Sequence, residues 1–139
     1  MKTPCLLLWS KDNNIRCIPN ARFLHTCFDN ELSKYSKAVI IDSDHNVFLI
    51  KDVTKIGWGT FFGGIHLLYR HRLIKIRYNI MEKYASSLKE IKNILLKKIE
   101  AKPTGRFMVE YFDSIDNLKT LINSSENLSD LIDLFNQDQ

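Results

Sequence analysis

Acidic residues are missing from the middle of this chain: none occurs between Val53 and Met81. Cysteine is scarce too. Cys5, Cys17 and Cys27 make an odd set with no C-x-x-C pair, which argues against a disulfide framework and a zinc knuckle and leaves reduced thiols acting as small apolar side chains. The longest uncharged run, residues 56–69, has fourteen residues and includes His66, too few to span a bilayer. The first residues lead straight into an apolar stretch ending at Trp9, without a small-residue cleavage site, so no secretory leader and no membrane partner is expected, and the cytoplasm is the expected location.

Catalytic and cofactor signatures are equally wanting. Gly57, Gly59, Gly63 and Gly64 hold four of the five glycines, but their spacing fits neither a phosphate loop nor a dinucleotide fingerprint, and no Lys-Ser or Lys-Thr step follows. They read instead as a bulged or tightly turned loop with Trp58, Phe61 and Phe62 tucked beneath it. His66 and His71 lie close together in sequence but lack a third ligand at metal spacing. None of the cysteines or Ser10 stands in a nucleophile context. The expectation is a protein that is not an enzyme and needs no metal or cofactor.

What is present is a charge dipole. The acid-free window carries Lys55, Arg70, Arg72, Lys75 and Arg77, whereas residues 107–139 hold seven carboxylates against the single Lys119, a local charge of −6 within a chain of net +4. Such asymmetry bears on partners and association rates. A length of 139 residues with 45% apolar and 26% charged content suits one globular domain spanning residues 1–139.

Residues 4–9 form a short apolar run, residues 10–14 supply turn chemistry and residues 15–18 return, which reads as a hairpin. Asn20 is placed to cap a helix, and Phe23, Leu24, Cys27, Phe28 and Leu32 recur at helical spacing over about three turns. A second hairpin runs through residues 38–41 and 47–50, with Asp42 and Asp44 stabilising the turn between them. From Leu73 the pattern alternates: Lys75, Arg77 and Asn79 face water, while Ile74, Ile76, Tyr78 and Ile80 face a core. Ser86 or Ser87 then opens a helix carrying Leu88, Ile91, Ile94, Leu95 and Ile99, which Pro103 and Gly105 end. Residues 107–112 are aromatic and leave a final short strand open. Ser114 caps a further helix, and Ser124 or Ser125 opens the last. Strands first and helices later predict an α+β fold: an antiparallel sheet of two hairpins and one alternating strand, with helices packed on it.

Two candidate surfaces follow. One is acidic: Glu110, Tyr111, Phe112, Asp113, Asp116, Asp130 and Asp133, with aromatic anchors beside the carboxylates. Helix-dipole complementarity accounts for part of this pattern, but not for the near absence of compensating cations. The other is the basic stretch Arg70, Arg72, Lys75 and Arg77, which can track a nucleic-acid backbone or, more blandly, keep an edge strand from pairing with another copy.

The segments PCLLLW (residues 4–9), AVIIDSDHNVFLI (38–50), KIGWGTFFGG (55–64) and SSENLSDLIDLF (124–135) together resemble the small cytosolic immunity proteins of bacterial toxin–immunity pairs, particularly those of contact-dependent growth inhibition systems. The resemblance lies in size, element order and texture over most of the chain. It implies a protein that binds a cognate toxin domain, often a nuclease, as a heterodimer and blocks its active site or its target-binding surface. It assigns no functional residue position by position. The alternative expectation is a small nucleic-acid-binding protein using residues 70–77.

Overall fold

The computed structural model describes residues 1–11, 14–58, 73–101 and 115–136. The chain is α+β, built on a curled antiparallel sheet of six strands in the order β2-β1-β4-β5-β6-β3. These are β1 (Cys5–Leu8), β2 (Ile15–Ile18), β3 (Thr26–Phe28), β4 (Val39–Ile41), β5 (Asn46–Trp58) and β6 (Leu73–Ala85). Helix α1 (Ala21–Leu24) and a 3₁₀ helix (Asp29–Tyr35) flank β3, and α2 (Leu88–Ala101), α3 (Ile115–Ser124) and α4 (Leu128–Asp133) follow β6.

Both faces of the sheet are covered around its centre, which is why β1 is buried at every position and reads as a continuous apolar run, whereas the far ends of β5 and β6 are exposed. The period-2 alternation sorts the strand residues between two cores. Leu6, Leu8, Ile41 and Val47 point to one side, where Ile91, Leu95 and Ile99 of α2 meet the buried faces of α3 and α4. Cys5, Leu7, Ile40 and Ile50 point to the other, where Leu24 and Tyr35 close the concave side. The two hairpins form as the sequence predicts, β1 pairing β2 and β4 pairing β5.

The curl comes from the β5–β6 ribbon, whose register slips between Leu49 and Ile50, between Ile50 and Asp52, and between Lys55 and Gly57. Each slip adds local twist. Near the first of them Ile80 leaves the core side and stands 48% exposed, a correction to its predicted burial. Ile74 and Ile76 are buried as the alternation requires.

A second correction concerns residues 23–32. Asn20 does cap a helix, its side chain accepting from the Phe23 N–H at 3.1 Å, but that helix stops at Leu24. Thr26, Cys27 and Phe28 pair instead with Lys75, Ile74 and Leu73. A long-range ladder overrides local helical spacing, as tertiary context commonly does. The 3₁₀ helix then starts where Glu31 reaches back to accept from the Phe28 N–H at 3.1 Å.

Helix ends follow side-chain chemistry. Ser87 Oγ accepts from the Glu90 N–H at 3.2 Å, opening α2 as expected. Helix α4 is opened by Asn127, whose side chain accepts from the Asp130 N–H at 2.8 Å. Ser124 and Ser125, predicted as its caps, instead donate back to the Leu121 carbonyl at 3.1 and 2.9 Å and close α3. The predicted final strand (residues 107–112), the Ser114 cap and the glycine-rich segment beyond Trp58 lie outside the described residues.

Lys37, in the link into β4, has a φ of 60°, a left-handed conformation that L side chains adopt at a cost. Replacing it with glycine is expected to raise stability by about 0.5 kcal/mol, the relief of strain exceeding the entropy that glycine loses on folding. Urea unfolding midpoints of Lys37→Gly and Lys37→Val check this, the valine variant falling below wild type.

Candidate docking surfaces

Helices α3 and α4 bury Leu118, Ile122, Leu128, Leu131 and Ile132, and their carboxylates lie on the opposite, exposed side. Asp116 in the first turn of α3, Glu126 in the connection, and Asp130 and Asp133 on α4 are all exposed. The one lysine of this stretch is drawn elsewhere: Lys119 Nζ lies 3.1 Å from Glu100 of α2. Lys92 of α2 is also committed, donating to the Asn123 and Ser125 carbonyls at 3.0 and 2.6 Å, where a cation complements the C-terminal end of α3. Among the described residues, no cation lies within ion-pairing distance of Asp116, Glu126, Asp130 or Asp133. The structure thus carries three of the predicted acidic residues, Asp116, Asp130 and Asp133, exposed on two successive helices that share one core. Glu110, Tyr111, Phe112 and Asp113 lie outside the described residues.

The basic candidate falls on the β5–β6 ribbon. Lys75 and Arg77 are exposed there as the alternation predicts, and Asn79 beside them donates to Asp52 Oδ1 at 2.6 Å and Thr54 Oγ1 at 2.9 Å. Across the ribbon the Lys55 ammonium sits 3.4 Å from the Trp58 ring centre, a cation–π contact on an aromatic that is half exposed. Arg70 and Arg72 lie outside the described residues.

Trp9, the end of the first apolar run, anchors an aromatic cluster that no sequence pattern announces. Its ring packs edge-on against Tyr35 at 6.2 Å, with Arg16 at 5.6 Å and Lys34 at 4.9 Å from its centre. Tyr35 in turn meets Tyr78 at 5.9 Å, and Tyr78 donates its hydroxyl to the Leu24 carbonyl at 2.5 Å. No spacing rule links these residues, which come from the end of β1, from β2 and β6, from α1 and from the 3₁₀ helix.

The thiols are built into the core. Burial, with lesser help from Cys17 and Asp42, pushes Cys5 up to about 12. Burial, then Glu31 and Asp29, does the same to Cys27. Both stay protonated at neutral pH, which makes them poor nucleophiles and poor metal ligands. Among the described residues, no group of three or more His, Cys, Asp or Glu side chains is placed to hold a metal ion, and no helix is long and apolar enough to cross a membrane.

Comparison with family models, with curated proteins and with solved structures finds no match to this chain.

Proposed function

We propose that this protein acts by docking onto another protein rather than by making or breaking bonds. More particularly, it is an immunity protein that binds a cognate toxin domain, of nuclease type, and blocks its active site or target-binding surface. The observation that carries this reading is the set of exposed carboxylates on α3 and α4 that no cation among the described residues pairs, with Lys119 turned toward Glu100. The texture shared with immunity proteins supports the particular assignment. Clustered exposed charge of one sign accelerates encounter with an oppositely charged partner, and it does so in a salt-dependent way. A nuclease surface that binds nucleic-acid phosphates is such a partner.

The test uses the toxin domain that this reading expects to be encoded beside this chain's gene. Asp116→Lys, Asp130→Lys and Asp133→Lys together are expected to slow association at low salt by about tenfold or more and to abolish protection of cells expressing the toxin. Reversal in a first helical turn also costs about 0.3–1 kcal/mol through the helix dipole, so circular dichroism confirms that the variant is folded. Unchanged association and unchanged protection would remove these helices from the interface.

The exposure of Lys75 and Arg77 on the ribbon favours a second reading, binding to a nucleic-acid backbone. In that case affinity falls linearly in log salt, and Lys75→Gln reduces the slope by about one. A gel-shift titration without retention at low salt removes this reading.

A further inference from the structure

The curled sheet has two edges, β2 and β3, and both line one cleft. Its cavity of about 180 Å³ exceeds the space a water molecule needs and resembles in scale an apolar cavity that holds one benzene ring, about 150 Å³. The floor is uncharged: Leu7, Ile18, Cys27, Tyr35 and Leu73 contribute to it. Burial keeps the Cys27 thiol and the Tyr35 phenol protonated at neutral pH, so both act as weakly polar wall.

The mouth is different. Arg16 and Arg22 stand there with Glu31, and Asp29 lies close enough to act on the Cys27 thiol. Glu31 is already engaged, accepting from the Phe28 N–H at 3.1 Å and meeting one Arg16 nitrogen at 3.5 Å. That ion pair is single-pronged and long, and a guanidinium offers five N–H donors, so Arg16 keeps capacity for another anion. Its position is set by the Trp9 ring 5.6 Å away. Two of the large exposed apolar side chains, Phe23 at 52% and Phe28 at 40%, also line this cleft, a concentration of aromatic surface in water that marks binding sites more often than plain surface.

We propose that the cleft between β2 and β3 is a binding site for a small aromatic carboxylate, its ring seated on the Leu7–Ile18–Tyr35 floor and its carboxylate held by Arg16 and Arg22. Apolar walls with a few convergent polar groups are the usual make-up of small-ligand sites. The arginines supply specificity for the anion, and the phenylalanines supply the cover that removes the ring from water. This site is separate from the α3–α4 surface, and its occupancy does not depend on a toxin partner.

The probe pair is phenylacetate and its neutral amide, phenylacetamide, titrated into the full chain and followed by amide chemical shifts and isothermal calorimetry. Phenylacetate is expected to bind saturably, with the largest shifts on β2 and β3, and the amide to bind about tenfold or more weakly, because it offers the guanidinium no charge-assisted hydrogen bond. Arg22→Gln and Arg16→Gln are each expected to weaken phenylacetate toward the level of the amide while leaving the amide unchanged, a readout that mere loss of structure would not give. No saturable binding of either probe, equal binding of acid and amide, or shifts centred away from β2 and β3 would each overturn the assignment.

Discussion

Raising the pH from about 9 to about 11 is expected to remove on the order of 5 kcal/mol of folding stability through the two buried thiols alone. Cys5 and Cys27 ionise only near 12 in the folded chain, against an ordinary 9.0. In that interval the unfolded chain has released these protons and the folded chain still holds them. Fewer protons bound in the unfolded state means that stability falls as pH rises. Below about 9 both states are protonated and these thiols impose no slope. Tyr35 and Tyr78 steepen the loss above an ordinary 10.0, because burial first, then Cys27 for Tyr35 and Tyr35 for Tyr78, holds their hydroxyls protonated. Net stabilities of small domains lie near 5–15 kcal/mol, so the decline takes a large share of the total. Urea titrations at several pH values between about 7.5 and 11 measure it. The paired variant Cys5→Ala with Cys27→Ala is expected to start lower and to fall less steeply. Constant midpoints through that range would mean that the two thiols do not stay dry.

Elements whose signal is local were legible in the sequence. The two hairpins follow from apolar runs around turn residues, and α2 follows from Leu88, Ile91, Leu95 and Ile99 behind Ser87. Period-2 alternation placed Ile74 and Ile76 in the core and Lys75 and Arg77 in water. What failed depended on distant pairing. Nothing within residues 23–32 announces that Cys27 will sit opposite Ile74, and of the residues at helical spacing there only Leu24, Cys27 and Leu32 meet the core, while Phe23 and Phe28 are exposed. The exposure of Ile80 likewise depends on register slips in the β5–β6 ribbon, which alternation by itself does not encode.

The acidic surface was half legible. Charge counting located the carboxylates, and helical periodicity correctly turned Asp116, Asp130 and Asp133 outward. It could not foresee that Lys119 would pair with Glu100 on another helix, which leaves the local charge less balanced than composition suggests. The β2–β3 cleft was not legible at all, because Arg16, Arg22 and Leu73 meet only through the curl of the sheet. Surfaces made by one helix face can be read from periodicity. A surface made where two sheet edges converge needs the topology.

Asp42→Ala is expected to cost about 3 kcal/mol, one of the largest losses from any single side chain of this size in the protein. The residue is 2% exposed, and its carboxylate accepts three backbone N–H groups: Lys2 at 3.1 Å on one oxygen, Asp44 and Asn46 at 3.0 Å each on the other. One side chain thus closes the β4–β5 turn and anchors the first residues of the chain beside it, where Ser43 also donates to the Lys2 carbonyl at 3.0 Å. Sequence reasoning gave Asp42 a turn-stabilising role, and the structure extends that role to a contact forty residues away. Alanine removes the acceptor of all three part-buried donors at once, and hydrogen bonds to a charged group are among the stronger ones to lose. The amide introduced by Asp42→Asn keeps one acceptor oxygen for Asp44 and Asn46 but turns its NH₂ group toward the Lys2 N–H, so an intermediate loss of about 1–2 kcal/mol is expected. Urea unfolding ranks the three proteins, and hydrogen exchange at Lys2, Asp44 and Asn46 separates the two functions. In Asp42→Asn, faster exchange should appear at Lys2 alone. Equal stability of wild type and Asp42→Ala would show that the turn closes without its carboxylate.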